Sequence, residues 1–495
     1  MLLLTLFSIF TRCLGFIFKI YLTKIMSTTE LGIYNLTLSI YMVIITLVGA
    51  SIPLTISKIT AHNKTNSIET ETKYSVTSSL IMTTLFSIFL SILLVISKPL
   101  ISLIIGNNLG YTIILTLIPS ILFTALYSQI RGYLWGIENY FAVSIVELVE
   151  QILRIAFCII FSLTGWIKSP ILSVGISLSI ACGISCLYGF VLYFKNNGRF
   201  KFKNGYCKNI IKSTLPLTLV RLCGSLLQPL IAIIIPLKLC ALGMSKDLAL
   251  SELGVIMGMT MPLLSIPSTI IGALCMILIP RINMSKENSE KQTQINNYIK
   301  FTITCSYIFI PVFICLSLSI CNYVYGNLSA GIYMQHCCWI IIPLGLSQIT
   351  TSILNALNQE NKTFLYYLLS CIVLLLLVIV LPKFCGIKSM LIASGISSII
   401  LVVLNLVKLF KVIKLKFNII TTLLLHSFLC VPVIILNNFC YNIFINSIGT
   451  FFSIALTGII SVISYISLLF VFGIFDIKMV KNYVVNYLKQ KTTSQ

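Results

Sequence analysis

Two cations stand inside an apolar run at the start of the chain. Leu2 to Ile25 reads LLLTLFSIFTRCLGFIFKIYLTKI, with Arg12 and Lys19 well within it. Seven residues is close to two helical turns, so on a helix the two share a face, roughly 10 Å apart along the axis. The run is long enough to span a bilayer, which takes about 20 apolar residues. A cation at membrane depth costs on the order of 2.5 to 3.5 kcal/mol, so a stripe of two is expected to face a wet or protein-lined interior where an anion can dock.

Other charges at membrane depth follow the same logic. Only six of the 34 basic residues are Arg, and three of those, Arg12, Arg154 and Arg221, fall inside apolar runs. Arginine stays protonated and presents a planar fork suited to phosphate or carboxylate. No acid shares a run with Arg12 or Arg221. Glu147, Glu150 and Arg154, at i, i+3 and i+7, share one helical face, and Glu150 and Arg154 are spaced to pair. Two readings stand: a structural ion pair, or a pair that opens when an anion competes for Arg154, assisted by protonation of Glu150. The candidate binding set is Arg12, Lys19, Arg154, Arg221 and Glu150.

Catalytic and metal chemistry find no footing. The 17 cysteines contain no CxxC and no Cys/His spacing suited to zinc, so they read as small packing residues. His62, His336 and His426 have no metal-spaced partner, and Asp247, Glu252 and Glu30 form no catalytic constellation. No cofactor, metal or enzymatic activity is expected.

A chain of 495 residues that is 58% hydrophobic and 9% charged must be a polytopic helical membrane protein. Its apolar runs are continuous rather than alternating, which excludes a β-barrel. The net charge of +22 reads as the Lys and Arg bias of cytoplasmic loops and as attraction to anionic membrane lipids, with no nucleic-acid partner. Arg12 interrupts what would be a signal-peptide core, so the first run reads as a retained span.

Fourteen spans are expected, near 2–25, 31–56, 76–97, 111–131, 141–164, 170–194, 214–237, 253–280, 299–322, 332–356, 363–381, 386–407, 417–437 and 448–475. With the amino end inside, the inner connections collect most of the cations: Lys195, Arg199, Lys201, Lys203, Lys208 and Lys212; Arg281, Lys286 and Lys291; Lys408, Lys411, Lys414 and Lys416; and the tail with Lys478, Lys481, Lys489 and Lys491. The outer segments hold few, so both termini are expected in the cytoplasm. Gly49 to Ile59 matches Gly272 to Ile282 at an offset of 223, and Glu138-Asn139 matches Glu360-Asn361 at 222. The expected organisation is an N-lobe over 1–194 (spans 1–6), a basic linker over 195–213, a C-lobe over 214–411 (spans 7–12), and spans 13 and 14 with the tail over 412–495. Two six-helix lobes related by an internal repeat, with a cavity between them, is a common build of secondary transporters. Pro53, Pro216, Pro229, Pro236, Pro262, Pro267 and Pro280 mark expected kinks, and spans seven and eight are expected to bend between states.

Several segments together resemble the stage V sporulation protein B family of polysaccharide-biosynthesis flippases, within the multidrug/oligosaccharidyl-lipid/polysaccharide exporter superfamily. They are Thr11 to Ile20, Glu30-Leu31-Gly32-Ile33-Tyr34, Ile52 to Lys58, Arg131-Gly132-Tyr133, Glu150 to Arg154, and Met261 to Pro267. The resemblance implies a V-shaped, two-lobed, fourteen-helix transporter in the cell membrane. It also implies a partner: a lipid-linked oligosaccharide pyrophosphate, with lipid II for spore cortex peptidoglycan as the expected cargo. In related lipid II flippases the first helix carries cavity arginines; Arg12 matches one, and where a second follows six residues on, this chain has Phe18, with Lys19 one place later. The alternatives are a cation-coupled multidrug exporter on the same scaffold, or a flippase for another undecaprenyl-linked polysaccharide.

Overall fold

The computed structural model describes residues 2–49, 51–65, 69–105, 108–167, 169–203, 205–284, 287–413 and 418–473. The expected tail cations Lys478, Lys481, Lys489 and Lys491, with Lys286, Lys414 and Lys416, lie outside these. Every regular element among the described residues is helical, and the chain divides into two compact units.

The first unit runs to Met259 and includes Val378–Ile387. It contains α1 (Leu2–Ile25), α2 (Thr28–Gly49), α3 (Ile52–Thr65), α4 (Glu69–Ile96), α5 (Lys98–Ile105), α6 (Asn108–Gly136), α7 (Tyr140–Thr164), α8 (Pro170–Lys195), α9 (Tyr206–Ala241) and α10 (Lys246–Val255). A π-helical turn, Ile256–Thr260, follows α10. The second unit, Thr260–Leu377 and the described residues from Lys388 onward, contains α11 (Met261–Leu264), α12 (Ile266–Met284), α13 (Asn288–Tyr325), α14 (Leu328–Cys337), α15 (Ile341–Ala356) and most of α16 (Glu360–Val380). The short α17 (Pro382–Cys385) belongs to the first unit, and α18 (Ser389–Val412), α19 (Ile419–Ile448) and α20 (Thr450–Val471) complete the second.

Local chemistry sets the ends. Ser27 and Glu30 form a capping box at the start of α2, with the Ser27 amide donating to Glu30 Oε2 (2.9 Å) and the Glu30 amide donating to Ser27 Oγ (3.2 Å). Asn139, Asn327 and Asn418 cap α7, α14 and α19 through their side-chain oxygens. The expected bend of span eight is a π turn followed by a break at Ser265, with Pro262 and Pro267 in the first turns of the helices on either side. α9 runs unbroken through Pro216, Pro229 and Pro236. Arg131, expected between spans, lies inside α6.

Among the described residues twelve helical segments are long and apolar enough to cross a membrane, so this is an all-helical, multi-pass membrane protein. The two expected spans outside that set are α1 and α7, of 24 and 25 residues, the helices that carry Arg12 and Lys19 and the Glu147, Glu150 and Arg154 face. Burial is inverted relative to a water-soluble bundle. α19 turns Ile420, Leu424, Phe428, Ile435 and Phe439 outward, and His426, Cys430, Val433 and Asn437 inward. Polar side chains glue helices together, as where Asn437 donates to Ser461 Oγ (2.9 Å) between α19 and α20.

Contacts fix helix directions within the first unit. α6 and α8 run parallel, since Thr116, Phe123 and Tyr127 on α6 meet Gly175, Gly183 and Gly189 on α8 in order. α7, between them in sequence, is antiparallel to both: Arg131 meets Glu147, while Glu150 meets Cys182 and Cys158 meets Ser173. α2 and α10 are parallel and cross at Gly32 and Gly254, where a Cβ on Gly32 would lie 1.9 Å from the Leu250 carbonyl oxygen and one on Gly254 2.1 Å from that of Thr28. Ser251 Oγ donates to Thr28 Oγ1 (2.7 Å) at the same crossing.

Candidate functional site

α1 packs on α7, and three contacts set their register. The rings of Phe7 and Phe141 meet edge to face at 5.7 Å, Gly15 faces Gln151, and Phe18 lies under Arg154. All three step forward on both helices, so α1 and α7 are parallel. The α1 residues at this seam, Phe7, Gly15 and Phe18, fall on one helical stripe, with Arg12 and Lys19 along its edge.

Arg154 is the centre of the arrangement. Its Cζ sits 5.1 Å from the centroid of the buried Phe18 ring, a cation–π contact worth about 0.5 to 2 kcal/mol depending on desolvation. Its Nη2 donates to Gln151 Oε1, one turn back on α7. The Arg154 Nε and the Gln151 Nε2 are both buried without a hydrogen-bond partner. Lys19 is close enough for its charge to oppose that of Arg154, and the buried Tyr34 of α2 also lies within the guanidinium's field. The site is therefore an aromatic floor, an amide and two like charges at the meeting of α1, α2 and α7.

The expected Glu150–Arg154 ion pair does not form: no oxygen of Glu150 comes within ion-pair distance of Arg154. The reason is tertiary. Phe18 and Gln151 hold the guanidinium toward α1, while Glu150 lies beside Cys182 of α8, whose sulfur accepts from Thr124 Oγ1 (3.7 Å). The neighbouring acid, Glu147, meets Arg131 of α6 at 3.5 Å, and Arg131 also lies over the Trp135 ring at 5.0 Å. The three charges of α7 thus go to three different helices.

The remaining predicted residues are placed as follows. Arg12 is exposed and has no hydrogen-bond or ion-pair partner among the described residues; Lys19 is exposed at the edge of the α1–α7 seam. Arg221 stands apart on an exposed face of α9, a helix that packs chiefly on α2, α4 and α10. Sequence reasoning missed Gln151 and Phe18. The available signal was a carboxamide three residues before an arginine, beside Glu147 and Glu150, in a helix of mainly apolar residues. Among the described residues no cluster of His, Cys, Asp or Glu is arranged to hold a metal ion.

Comparisons with known proteins agree with this architecture. The chain is 23% identical over 383 residues to the stage V sporulation protein B of Bacillus subtilis, covering 73% of each protein. It is 22% identical over 293 residues to the sporulation protein YkvU of the same organism, covering 57% of this chain and 64% of that one. Its fold is that of the lipid II flippase MurJ in an inward closed conformation (TM-score 0.76, 15% identity, 96% of this chain and 100% of that one). An inward-facing multidrug resistance MATE family transporter shares it less closely (TM-score 0.62, 11% identity, 82% and 96%). Residues 1–286 match the family described as polysaccharide biosynthesis protein, and the chain belongs to that family.

Proposed function

We propose that this protein moves a lipid-linked cell-wall oligosaccharide precursor across the membrane by alternating access, and that the precursor's pyrophosphate docks at Arg154 with Gln151 and Lys19. The observation that carries this reading is a guanidinium that is anchored but not neutralised. Phe18 and Gln151 hold Arg154, no carboxylate pairs with it, and two buried donors beside it, Arg154 Nε and Gln151 Nε2, have no acceptor. Buried donors left unpaired cost about 1 to 3 kcal/mol each, which an anion would repay. The likeness to a lipid II flippase and to a sporulation protein makes lipid II for spore cortex the leading cargo. Arg12 and Arg221 add positive charge along the path.

Fourteen spans and cytoplasmic termini belong to the same reading. α6 and α8 enter from the same side, so the chain must recross between them, and α7 is the helix that does so. An internal repeat is supported by one backbone turn that recurs at an offset of 220. Residues 137, 138 and 139 donate to the carbonyls of 133, 135 and 134, and residues 357, 358 and 359 to those of 353, 355 and 354. Gly49 faces Ser128 as Gly272 faces Gln348, and Gly175 faces Thr116 as Gly395 faces Trp339. With lobes over 1–194 and 214–411, α2 and α10 come from different lobes, and their crossing is the closed outer gate of an inward-facing state.

The test is complementation of a deletion strain with Arg12→Ala, Arg154→Ala and Arg221→Ala, reading lipid-linked precursor accumulation by mass. Loss of transport in a protein that still inserts is expected, Arg154→Ala being the most severe; full complementation by all three would end the reading. The second reading, a cation-coupled drug exporter, draws on the fold shared with MATE transporters and on the carboxyl of Glu150. Drug hypersensitivity with a normal cell wall in the deletion strain would favour it.

A further inference from the structure

The basic stretch after α8 reads on sequence as a solvated charge run. In the structure it is a built strap. α8 closes with Asn197 at a φ of 63°, and Gly198 then passes so close to the Tyr193 ring that a Cβ there would lie 2.6 Å from it. Tyr133 Oη donates to the Asn196 carbonyl (2.7 Å) and Tyr193 Oη to that of Arg199 (3.2 Å). The Lys201 amide donates to Thr77 Oγ1 on α4 (3.0 Å). Phe200 is locked against Tyr193, Phe194 and Phe190, at 5.7, 5.3 and 6.1 Å. The strap therefore presents its cations at fixed positions.

Phe200 also forms the end wall of a groove of about 360 Å³ that runs along α4 from Thr77 to Leu85, with Leu80, Ile81, Leu126 and Phe190 among its walls. Eight helical steps at 1.5 Å each make it about 12 Å long. Its walls are apolar, and the exposed face of α4 continues beyond it through Phe89 and Ile92. Around the strapped end stand Lys195, Arg199, Lys201 and Lys203, all exposed. Lys195, Arg199 and Lys201 have no ion-pair partner among the described residues, and Lys203 lies over the Tyr74 ring at 5.8 Å. A chain-sized apolar trough with a cluster of cations at one end, three of them without an ion-pair partner among the described residues, complements an amphiphile with an anionic head and an aliphatic tail.

We propose that this groove holds an anionic phospholipid, one acyl chain along α4 and its phosphate at Arg199, Lys201 and Lys203. The site lies on α4, α6 and α8, away from the α1–α7 seam, and does not depend on the cargo assigned there. The lipid would clamp the strap to α4 and fix the connection that leads into α9.

The test is native mass spectrometry of the purified full chain titrated with phosphatidylglycerol, phosphatidylcholine or undecaprenyl pyrophosphate. The wild type is expected to retain phosphatidylglycerol in preference to phosphatidylcholine. Replacing Arg199, Lys201 and Lys203 together by Gln should weaken phosphatidylglycerol binding on the order of a hundredfold, at about fivefold per cation. Ile81→Trp with Leu85→Trp, both on exposed positions that leave the core intact, should abolish retention with every cation present. Equal retention of the two phospholipids would overturn the proposal, as would unchanged binding in either variant. So would preferential capture of undecaprenyl pyrophosphate, which would assign the groove to the transported lipid. Unchanged melting temperature in both variants guards against misfolding.

Discussion

The crossing of α2 and α10 is the most sharply defined mechanical element of the first unit, and Gly254 is the position to perturb. A Cβ at Gly254 would lie 2.1 Å from the Thr28 carbonyl oxygen and 2.6 Å from the Gly32 nitrogen, where ordinary contact begins at 3.4 Å. The obstructing atoms are backbone, so no rotamer change relieves the clash, and the helices must part by about 1.3 Å. The Ser251–Thr28 hydrogen bond, 2.7 Å in the native crossing, would then stretch to about 4 Å and be lost. Losing it costs about 1 kcal/mol, and forcing apart a packed seam about 1 to 3 kcal/mol more. A total of about 2 to 4 kcal/mol shifts the equilibrium away from the closed crossing by roughly 30- to 1,000-fold.

Hydrogen exchange in lipid nanodiscs reads this directly. Peptides covering 28–36 and 246–258 should exchange faster in Gly254→Ala and faster again in Gly254→Val, while α6 peptides around 113–121 keep wild-type protection. Ser251→Ala alone should give only the smaller, hydrogen-bond share of the effect. If the crossing is the outer gate, Gly254→Val also accumulates precursor in cells. A Gly254→Val protein with wild-type exchange and full transport would refute both the tightness of the contact and its place in the cycle.

Three further outcomes are expected. Gln151→Leu removes the acceptor that orients Arg154 and should weaken pyrophosphate-lipid binding by roughly tenfold or more without altering expression, measured by titration in nanodiscs; a charge-assisted hydrogen bond is worth about 1.5 to 3 kcal/mol. Glu138 holds a φ of 67° in an exposed turn, so Glu138→Gly should raise stability by about 1 kcal/mol, seen as a higher melting temperature, with Asn358→Gly giving less because Asn tolerates that region. Asn437→Leu breaks the bond to Ser461, and the cost should stay near 0.6 kcal/mol and below about 2, as for interhelical bonds in other membrane proteins. A loss of fold there would mean that α19 and α20 are held chiefly by polar contacts.

Much of the architecture is legible in the sequence because lipid enforces a simple rule: long apolar runs become helices. The cation spacing of α1 likewise places Arg12 and Lys19 along one edge of the helix. What the sequence could not decide is which helix claims a given charge. Glu150 and Arg154 have the spacing of an ion pair, yet Phe18, more than 130 residues away in sequence, takes the guanidinium instead. Arg131 looks like a loop cation because a run of apolar residues ends there, but Trp135 and Glu147 draw it into α6. Proline is an equally local signal. It coincides with the break at Ser265, flanked by Pro262 and Pro267, but not with any break in α9, which passes three prolines. The repeated Glu-Asn dipeptides match at 222, whereas the backbone turn recurs at 220 and pairs Glu138 with Asn358. What recurs is a positive-φ corner, a conformation rather than a pair of letters.

The distribution of charge on α7 argues for a moving part rather than a static brace. A helix kept only for packing between α6 and α8 would be as stable or more so with apolar residues in place of its ionised ones. Instead Glu147 engages α6, Glu150 faces α8 and Arg154 meets α1, and no two of the three form an ion pair with each other. Such a helix has an alternative arrangement within easy reach: a four-residue step on its own surface would join Glu150 to Arg154 and release Phe18 and Cys182 together. On the proposed function, an anion docked at Arg154 would stabilise the observed arrangement, because the guanidinium cannot serve both the anion and the carboxylate, and its departure would favour the other. The same four residues would thus couple occupancy of the site to the packing of three helices, the differential contact that any ligand-driven change of state requires.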